Sequence, residues 1–136
     1  MNENLIKIKS AVRITDKEVF INKKRLPINA LSEDWLTSIY KTIGTTYPKF
    51  FKMDNLCKAG FLAAELCMKE SGHERREEGD PNWSVVIFNQ TSSLDNDQAY
   101  QKTIEDPQNY FPSPSIFVYT LSNIVTGEIA IRHKLK

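Results

Sequence analysis

The feature that most constrains the fold is a helical segment, residues 53–70, whose pattern is apolar around most of its circumference. At about 3.6 residues per turn, its charged side chains fall on one narrow stripe. That stripe consists of Asp54, Lys58, Glu65 and Lys69. Nearly every other position is apolar or small, and a two-layer domain would leave part of such a surface exposed. The pattern therefore predicts a largely buried helix with neighbours on several sides, within a chain of 136 residues that is long enough for one core.

The elements around this helix predict an α/β fold. Residues 5–14 alternate in the way that is typical of a strand, and a second short strand is predicted at 19–21. Three further helices are predicted, from Ser32 to Gly44, from Ser92 or Ser93 to Glu105, and at 123–132. The continuous apolar run at 83–88 is typical of a buried parallel strand. This order predicts a single α/β domain over 1–136, with a mixed or parallel sheet, packed helices, and a strand or hairpin region at 1–30.

Composition excludes several classes of protein. The formal net charge is +1, which argues against nucleic-acid binding through bulk charge. No apolar run reaches the length of a membrane span, so none is predicted. The N-terminus has no apolar stretch followed by a small-residue cleavage site, and we therefore expect a cytoplasmic protein without a signal peptide.

The cysteines and histidines offer little chemistry. Cys57 and Cys67 both fall on the apolar arc of the helix, and we interpret them as small buried hydrophobic residues rather than nucleophiles. His73 lies in a charged loop at 71–82 and is expected to be solvated. No cluster has the spacing of metal ligands, so neither a metal nor a cofactor is predicted.

The N-terminal region is basic. The first thirty residues contain seven Lys or Arg and three acidic residues. A solvated strand face and a docking surface for an acidic partner both explain this excess, and the sequence leaves both open.

Three segments resemble one protein family. The first comprises Lys52-Met53-Asp54 and the helical alanines Ala59, Ala63 and Ala64. It is similar to the helix that opens the β-ketoacyl-acyl carrier protein synthases (3-oxoacyl-ACP synthases), members of the thiolase-like superfamily. Small residues there would let the helix lie close to a sheet.

The second segment, residues 87–94, resembles the family's strand and turn, which usually reads Ile/Val-Gly-x-Gly-x-Gly-Gly. The chain has Phe88, Gln90, Ser92 and Ser93 where the family has glycine. Glycine permits a positive φ and close backbone approach, so these replacements predict a reshaped turn. The turn borders the acyl pocket in the family, and the resemblance assigns Ser92, Ser93 and Leu94 to that border.

The third segment, residues 114–131, is similar without a gap to Pro-x-x-Phe/Val-x-x-Thr-Leu-Pro-Asn-x-x-Ala-Gly-x-Ile-Ala. Thr120, Asn123 and Gly127 keep the family residue, while Ser122 and Thr126 replace the usual Pro and Ala. With Asp54, the three retained residues are assigned as structural signature positions. Gly127 is expected to permit close packing on a neighbouring element.

The resemblance implies part of one half of a thiolase-like fold, in an acyltransferase family of fatty acid and polyketide biosynthesis. In the family, a Gly-Pro turn after the third segment leads to the nucleophilic cysteine, and the catalytic histidines follow much later. The sequence ends at Lys136, before that point, and neither Cys57, Cys67 nor His133 aligns with a catalytic residue. No catalytic residue is therefore assigned in this chain, and we expect no condensation by the chain alone.

The implied partners are an acyl carrier protein and either a second copy of the chain or a synthase subunit. The basic residues Lys23, Lys24 and Arg25 are a candidate docking site for the carrier. A second reading is a non-catalytic interaction module that docks a carrier protein or a complementary synthase half. A third is an α/β domain of unrelated function.

Overall fold

The computed structural model describes residues 6–136, which group into two compact units. Among these residues, the first unit contains 6–44 and 62–74, and the second contains 45–61 and 75–136. The prediction of a single domain over 1–136 stays a prediction. The strand predicted at 5–14 includes Leu5, which lies outside the described residues.

The first unit contains a three-stranded antiparallel sheet. Its strands are β1 (Val12–Ile14), β2 (Val19–Ile21) and β3 (Lys24–Leu26), in the order β1-β2-β3. Residues 6–11 are not part of a strand, so the first strand is much shorter than predicted.

A two-residue turn, Asn22-Lys23, joins β2 to β3, and sequence reasoning missed the third strand. Both turn residues have positive φ, 48° and 68°. This is the geometry of the hairpin turns that match the twist of antiparallel strands, and Asn tolerates it better than most residues. Lys is not a usual residue at the second position of such a turn, so the sequence did not indicate the hairpin of β2 and β3.

Helix α1 spans Trp35–Ile43 and ends at Gly44, whose φ of 67° confirms the predicted terminator. Its cap differs from the prediction. The Asp34 carboxylate accepts the N–H of Thr37 at 3.0 Å, so Asp34 is the cap residue. Ser32 lies two residues earlier and exchanges hydrogen bonds with the hydroxyl of Ser38.

Helix α2 spans Asn55–Glu70 and confirms the largely buried helix of the sequence pattern. Within it, only Asn55, Lys69 and Glu70, all near its ends, are exposed. Its fully or nearly fully buried side chains are Cys57, Phe61, Leu62, Leu66 and Met68. The residues up to Phe61 belong to the second unit and those from Leu62 onward to the first.

The second unit contains the remaining helices. These are α3 (Leu94–Lys102), α4 (Pro114–Val118) and α5 (Ile124–His133), with 3₁₀ turns at Pro48–Lys52 and Pro107–Asn109. Helices α3 and α5 confirm the predicted ones. Helix α4 was not predicted. Its start has two common helix signals, because the Ser113 hydroxyl accepts the N–H of Ile116 and Pro114 occupies the first turn.

The predicted parallel strand at 83–88 is wrong. The segment is not assigned to a strand, and every strand pair in the described sheet is antiparallel. Its side chains alternate between half-buried and exposed, with Val86 67% and Phe88 91% exposed. A parallel strand of a central sheet is covered on both faces, and this segment is covered on one.

The structure is thus mixed α/β, with a small antiparallel sheet and five helices among residues 6–136. Within the same residues, no helix is both long and apolar enough to cross a membrane.

Candidate functional site

A cluster of polar side chains lies inside the second unit, beginning at the first turn of α2. The Asp54 carboxylate accepts the backbone N–H of Cys57 at 2.9 Å, and Asp54 therefore caps the helix. This bond fixes the start of α2 and places the buried Cys57 thiol in its first turn.

At the centre of the cluster is Glu128 of α5, which is only 4% exposed. The Tyr47 hydroxyl donates a hydrogen bond to Glu128 Oε2 at 2.6 Å. The Tyr119 hydroxyl donates a longer one to Glu128 Oε1 at 3.4 Å. A buried carboxylate needs such donors, because burial without them costs several kcal/mol, on the order of 1–3 for each missing hydrogen bond.

Tyr47 is held in position by further contacts in the same unit. Its ring stacks on that of Phe61 with the centroids 5.0 Å apart, and the guanidinium of Arg132 lies 5.6 Å from its ring centroid. Arg132 also donates to the carbonyl of Thr46 and the hydroxyl of Thr45. These contacts attach the segment before the 3₁₀ turn to α5.

The thiol and the two phenols around Glu128 keep their protons at neutral pH. Burial, and then the charges of Asp54 and Glu128, raise the pKa of the Cys57 thiol to about 12. Burial and Glu128 raise the pKa of Tyr119 to about 12 and that of Tyr47 well above its usual value. Burial also raises the pKa of Asp54.

A thiol in this setting is a poor nucleophile, because the reactive species is the thiolate and two carboxylates disfavour its formation. The interpretation of Cys57 as a buried hydrophobic residue is therefore confirmed. Cys67 is half-buried and less covered than expected. His73 is also half-buried rather than solvated, and its backbone N–H donates to the carbonyl of Met68 at 2.9 Å.

The turn that the sequence assigns to an acyl pocket precedes α3. Ser92 has a positive φ of 49°, and its N–H donates to the side chain of Asn89. Ser93 is buried, and its hydroxyl donates to the backbone carbonyl of Thr120 at 2.7 Å. Leu94 is 44% exposed. The turn is thus attached to the third segment through Ser93.

The signature residues of the third segment lie around the start of α5. Thr120 donates its hydroxyl to the carbonyl of Phe117 at 2.7 Å, and Asn123 is the exposed residue that precedes the helix. The prediction for Gly127 is wrong, since a Cβ at that position would meet no atom within 4 Å.

The close approach occurs instead at Gly60 of α2. A Cβ there would lie 2.6 Å from Cγ1 of Val125 in α5, well inside van der Waals contact. The small residue therefore lets two helices approach each other, rather than a helix and a sheet.

The structure places Asp54, Ser93, Thr120 and Gly127 in the second unit together with Ser92, Leu94 and Asn123. Sequence reasoning missed Tyr47, Tyr119 and Glu128. One signal was available, because Glu128 falls four residues after Ile124 and three after Val125, on a largely apolar face of the helix.

Among the described residues, His, Cys, Asp and Glu side chains do not gather in groups of three that could hold a metal ion. Comparisons with protein-family models, curated proteins and solved structures found no match for the chain.

Proposed function

We propose that this chain is related to the N-terminal part of the 3-oxoacyl-ACP synthases and works in the cytoplasm with an acyl carrier protein, in fatty acid or polyketide biosynthesis. Its thiolase-like fold and its family membership belong to this proposal. The chain would contribute binding and assembly, while the nucleophile of the condensation reaction is not among its residues.

The observation that carries the proposal is the contact among the three segments that resemble the family. Gly60 in the first segment packs on Val125 in the third. Ser93 in the second segment donates to the carbonyl of Thr120 in the third. Segments that are separated by tens of residues thus form one packed cluster, as the proposal requires of parts of a single structural unit.

The backbone at Ser92 adds independent support. Of the four described positions where the family has glycine, Ser92 is the one with positive φ, at 49°. That region strongly favours glycine over residues with a Cβ. The turn therefore keeps a glycine-type conformation at one position, even though the glycine itself has been replaced.

The chemistry of the cluster fits a chain that does not condense by itself. Condensation in the family begins when a thiolate accepts an acyl group from a carrier thioester. Cys57 is fully buried and has a pKa of about 12, so almost none of it is thiolate at neutral pH. We expect neither Cys57 nor Cys67 to become acylated.

The proposal is tested by titrating fluorescently labelled acyl carrier protein with the chain and measuring anisotropy. We expect saturable binding that is weakened at least tenfold when Lys23, Lys24 and Arg25 are changed together to Glu, because carrier proteins that dock through carboxylates would meet repulsion there.

A matched control reverses three exposed cations of the second unit, with the changes Lys49→Glu, Lys52→Glu and Lys102→Glu. It alters the net charge equally and should weaken binding much less. If the wild-type chain and the variant changed at 23–25 bind with equal affinity, Lys23, Lys24 and Arg25 are excluded as the docking site. Absence of any saturable binding would discard the carrier protein as a partner.

A second candidate, an interaction module that pairs with another copy or with a synthase subunit, is favoured by the extended segment 83–88. Its exposed Val86 and Phe88 leave apolar surface in contact with water. If the chain associates through this segment, Val86→Thr with Phe88→Thr should shift sedimentation toward the monomer. The control, Phe111→Thr, removes another exposed aromatic ring and should leave the association unchanged.

A further inference from the structure

The outward face of the three-stranded sheet presents a row of cation, aromatic ring and cation. In the register of the sheet, Arg13 pairs with Phe20, and Phe20 pairs with Arg25. Residues directly opposite each other in antiparallel strands project from the same face. The neighbouring row of Ile14, Val19 and Leu26 projects from the other face, where Val19 is fully buried.

A groove runs along this face beside the β2–β3 turn. It has a volume of about 390 Å³ and is lined by Ala11, Val12, Arg13, Phe20 and Lys23. The guanidinium carbon of Arg13 lies 4.6 Å from the ring centroid of Phe20. A guanidinium this close to a ring is attracted by the face of the ring, and its N–H groups can still donate to an acceptor.

The wall of the groove is held by Asn22. Its backbone N–H donates to the Ala11 carbonyl at 2.8 Å, and its side-chain oxygen accepts the Ala11 N–H at 2.8 Å. Its side-chain amide also donates to Glu70 at 3.0 Å. The backbone of the turn that carries Lys23 is thereby fixed to the residue before β1, so binding does not have to order the turn, which reduces the entropic cost of binding.

The positive charge around the groove favours an anionic ligand. Residues 6–30 contain seven Lys or Arg and two acidic residues, although the whole chain has a net charge of only +1. One of those two acids, Glu18, already forms an ion pair with Arg25 at 3.2 Å. The exposed Arg13 and Lys23 therefore lie in a locally positive field.

We infer that this groove, with Arg13, Phe20 and Lys23 as its contact residues, docks an acidic segment of a polypeptide. Arg13 would bind a carboxylate through two N–H groups, Lys23 a second carboxylate, and Phe20 the apolar atoms between them. Adjacent strands lie about 4.8 Å apart, so the row from Arg13 in β1 to Arg25 in β3 is only about 10 Å long. Nucleic acids and anionic membranes gain affinity from many spread cations, which this short row does not provide.

This inference uses only the charges and geometry of the first unit and does not depend on the proposed function. If the chain binds a generic acidic peptide but not an acyl carrier protein, the groove is supported as a docking site and the carrier protein is excluded as a partner. The reverse result, carrier binding that is unaffected by changes in the groove, would place the carrier site elsewhere, and the peptide titration below would then decide on the groove.

The test is a fluorescence anisotropy titration of fluorescein-labelled deca-glutamate with the full chain. We expect saturable binding that weakens by about tenfold in Arg13→Gln with Lys23→Gln, the loss expected when two solvent-exposed ion pairs are removed. The control, Lys9→Gln with Lys17→Gln, removes the same charge from exposed residues outside the groove and should change affinity less than about twofold.

Two further measurements make the result specific. Arg13→Lys keeps the charge and should still weaken binding by about threefold, because the planar fork and its stacking on Phe20 are lost. Unlabelled deca-glutamate should displace the probe at lower concentration than deca-thymidylate or phosphatidylserine vesicles. No saturable binding, equal weakening in the groove and control variants, or more efficient displacement by the DNA or the vesicles would each overturn the inference.

Discussion

Gly60 lies where α2 meets α5, and its replacement by alanine tests how close that approach is. The added Cβ would lie 2.6 Å from Val125 Cγ1, and Val125 is only 5% exposed. A β-branched side chain in a helix has essentially one rotamer, so it cannot turn away from the new atom. The helices would have to separate by several tenths of an ångström.

The magnitude follows from two opposing terms. Overpacking in a close-packed interior costs about 1–3 kcal/mol. Alanine in place of glycine stabilises a helix by about 1 kcal/mol. We therefore expect Gly60→Ala to lower the free energy of unfolding by up to about 2 kcal/mol, measured by urea denaturation monitored by circular dichroism.

Gly127 in α5 provides the matched control, because a Cβ there would meet nothing within 4 Å. The same substitution, Gly127→Ala, should raise the free energy of unfolding by up to about 1 kcal/mol through helix propensity alone. The two glycine variants are thus expected to change stability in opposite directions.

A double-mutant cycle with Val125→Ala isolates the contact. Val125→Ala alone should cost about 2 kcal/mol through lost burial and the cavity left behind. In the Gly60→Ala/Val125→Ala chain, the new methyl group fills part of that cavity, so the cost should be at least about 1 kcal/mol below the sum. Additivity to within about 0.5 kcal/mol would refute the close approach of the two helices.

Three further predictions concern the thiols, the alkaline range and the turn. Iodoacetamide at pH 8 should modify Cys67 much faster than Cys57 in the folded chain, and equal rates by peptide mass spectrometry would contradict the burial and raised pKa of Cys57. The folded-state pKa values of Cys57 and Tyr119 exceed their unfolded values, so their contribution to stability is complete below about pH 9 and is lost as the pH rises toward 12. Each of the two groups contributes about 1.4 kcal/mol for every pH unit over which only the folded chain keeps its proton, so the free energy of unfolding should fall by on the order of 6 kcal/mol by pH 12. A flat profile would contradict the assignment. Ser93→Ala should lower the free energy of unfolding by about 1–3 kcal/mol, because the backbone carbonyl of Thr120 loses its donor. Ser92→Gly should not lower it, because glycine adopts the left-handed backbone of this position without strain. Thermal melts that rank the two variants in the opposite order would be inconsistent with the turn described above.

Helices were predictable because their signals are local. The apolar surface of α2 and the terminator Gly44 lie within a few residues of the structure that they specify. The cap of α1 was misplaced by two residues because Ser32 and Asp34 are both good cap residues, and helix ends are the least determined by local pattern.

The sheet and the site depend on contacts between distant residues. The run at 83–88 has the composition of a buried strand, but a strand also needs partners on its edges, and composition does not report these. Glu128 and Tyr47 are 81 residues apart, so their bond could not be found by spacing. The apolar helical face around Glu128 marked it as buried, without indicating which donors would reach it.

The most direct test of the proposed function is native mass spectrometry of the chain mixed with an acyl carrier protein that carries an octanoyl thioester. The account predicts a non-covalent complex of the two proteins, and an unmodified chain mass once the complex is dissociated. Two results would contradict it. One is the absence of a complex at any concentration up to about 100 μM, which would set the affinity below that of even weak specific pairs. The other is stoichiometric octanoylation of Cys57 or Cys67.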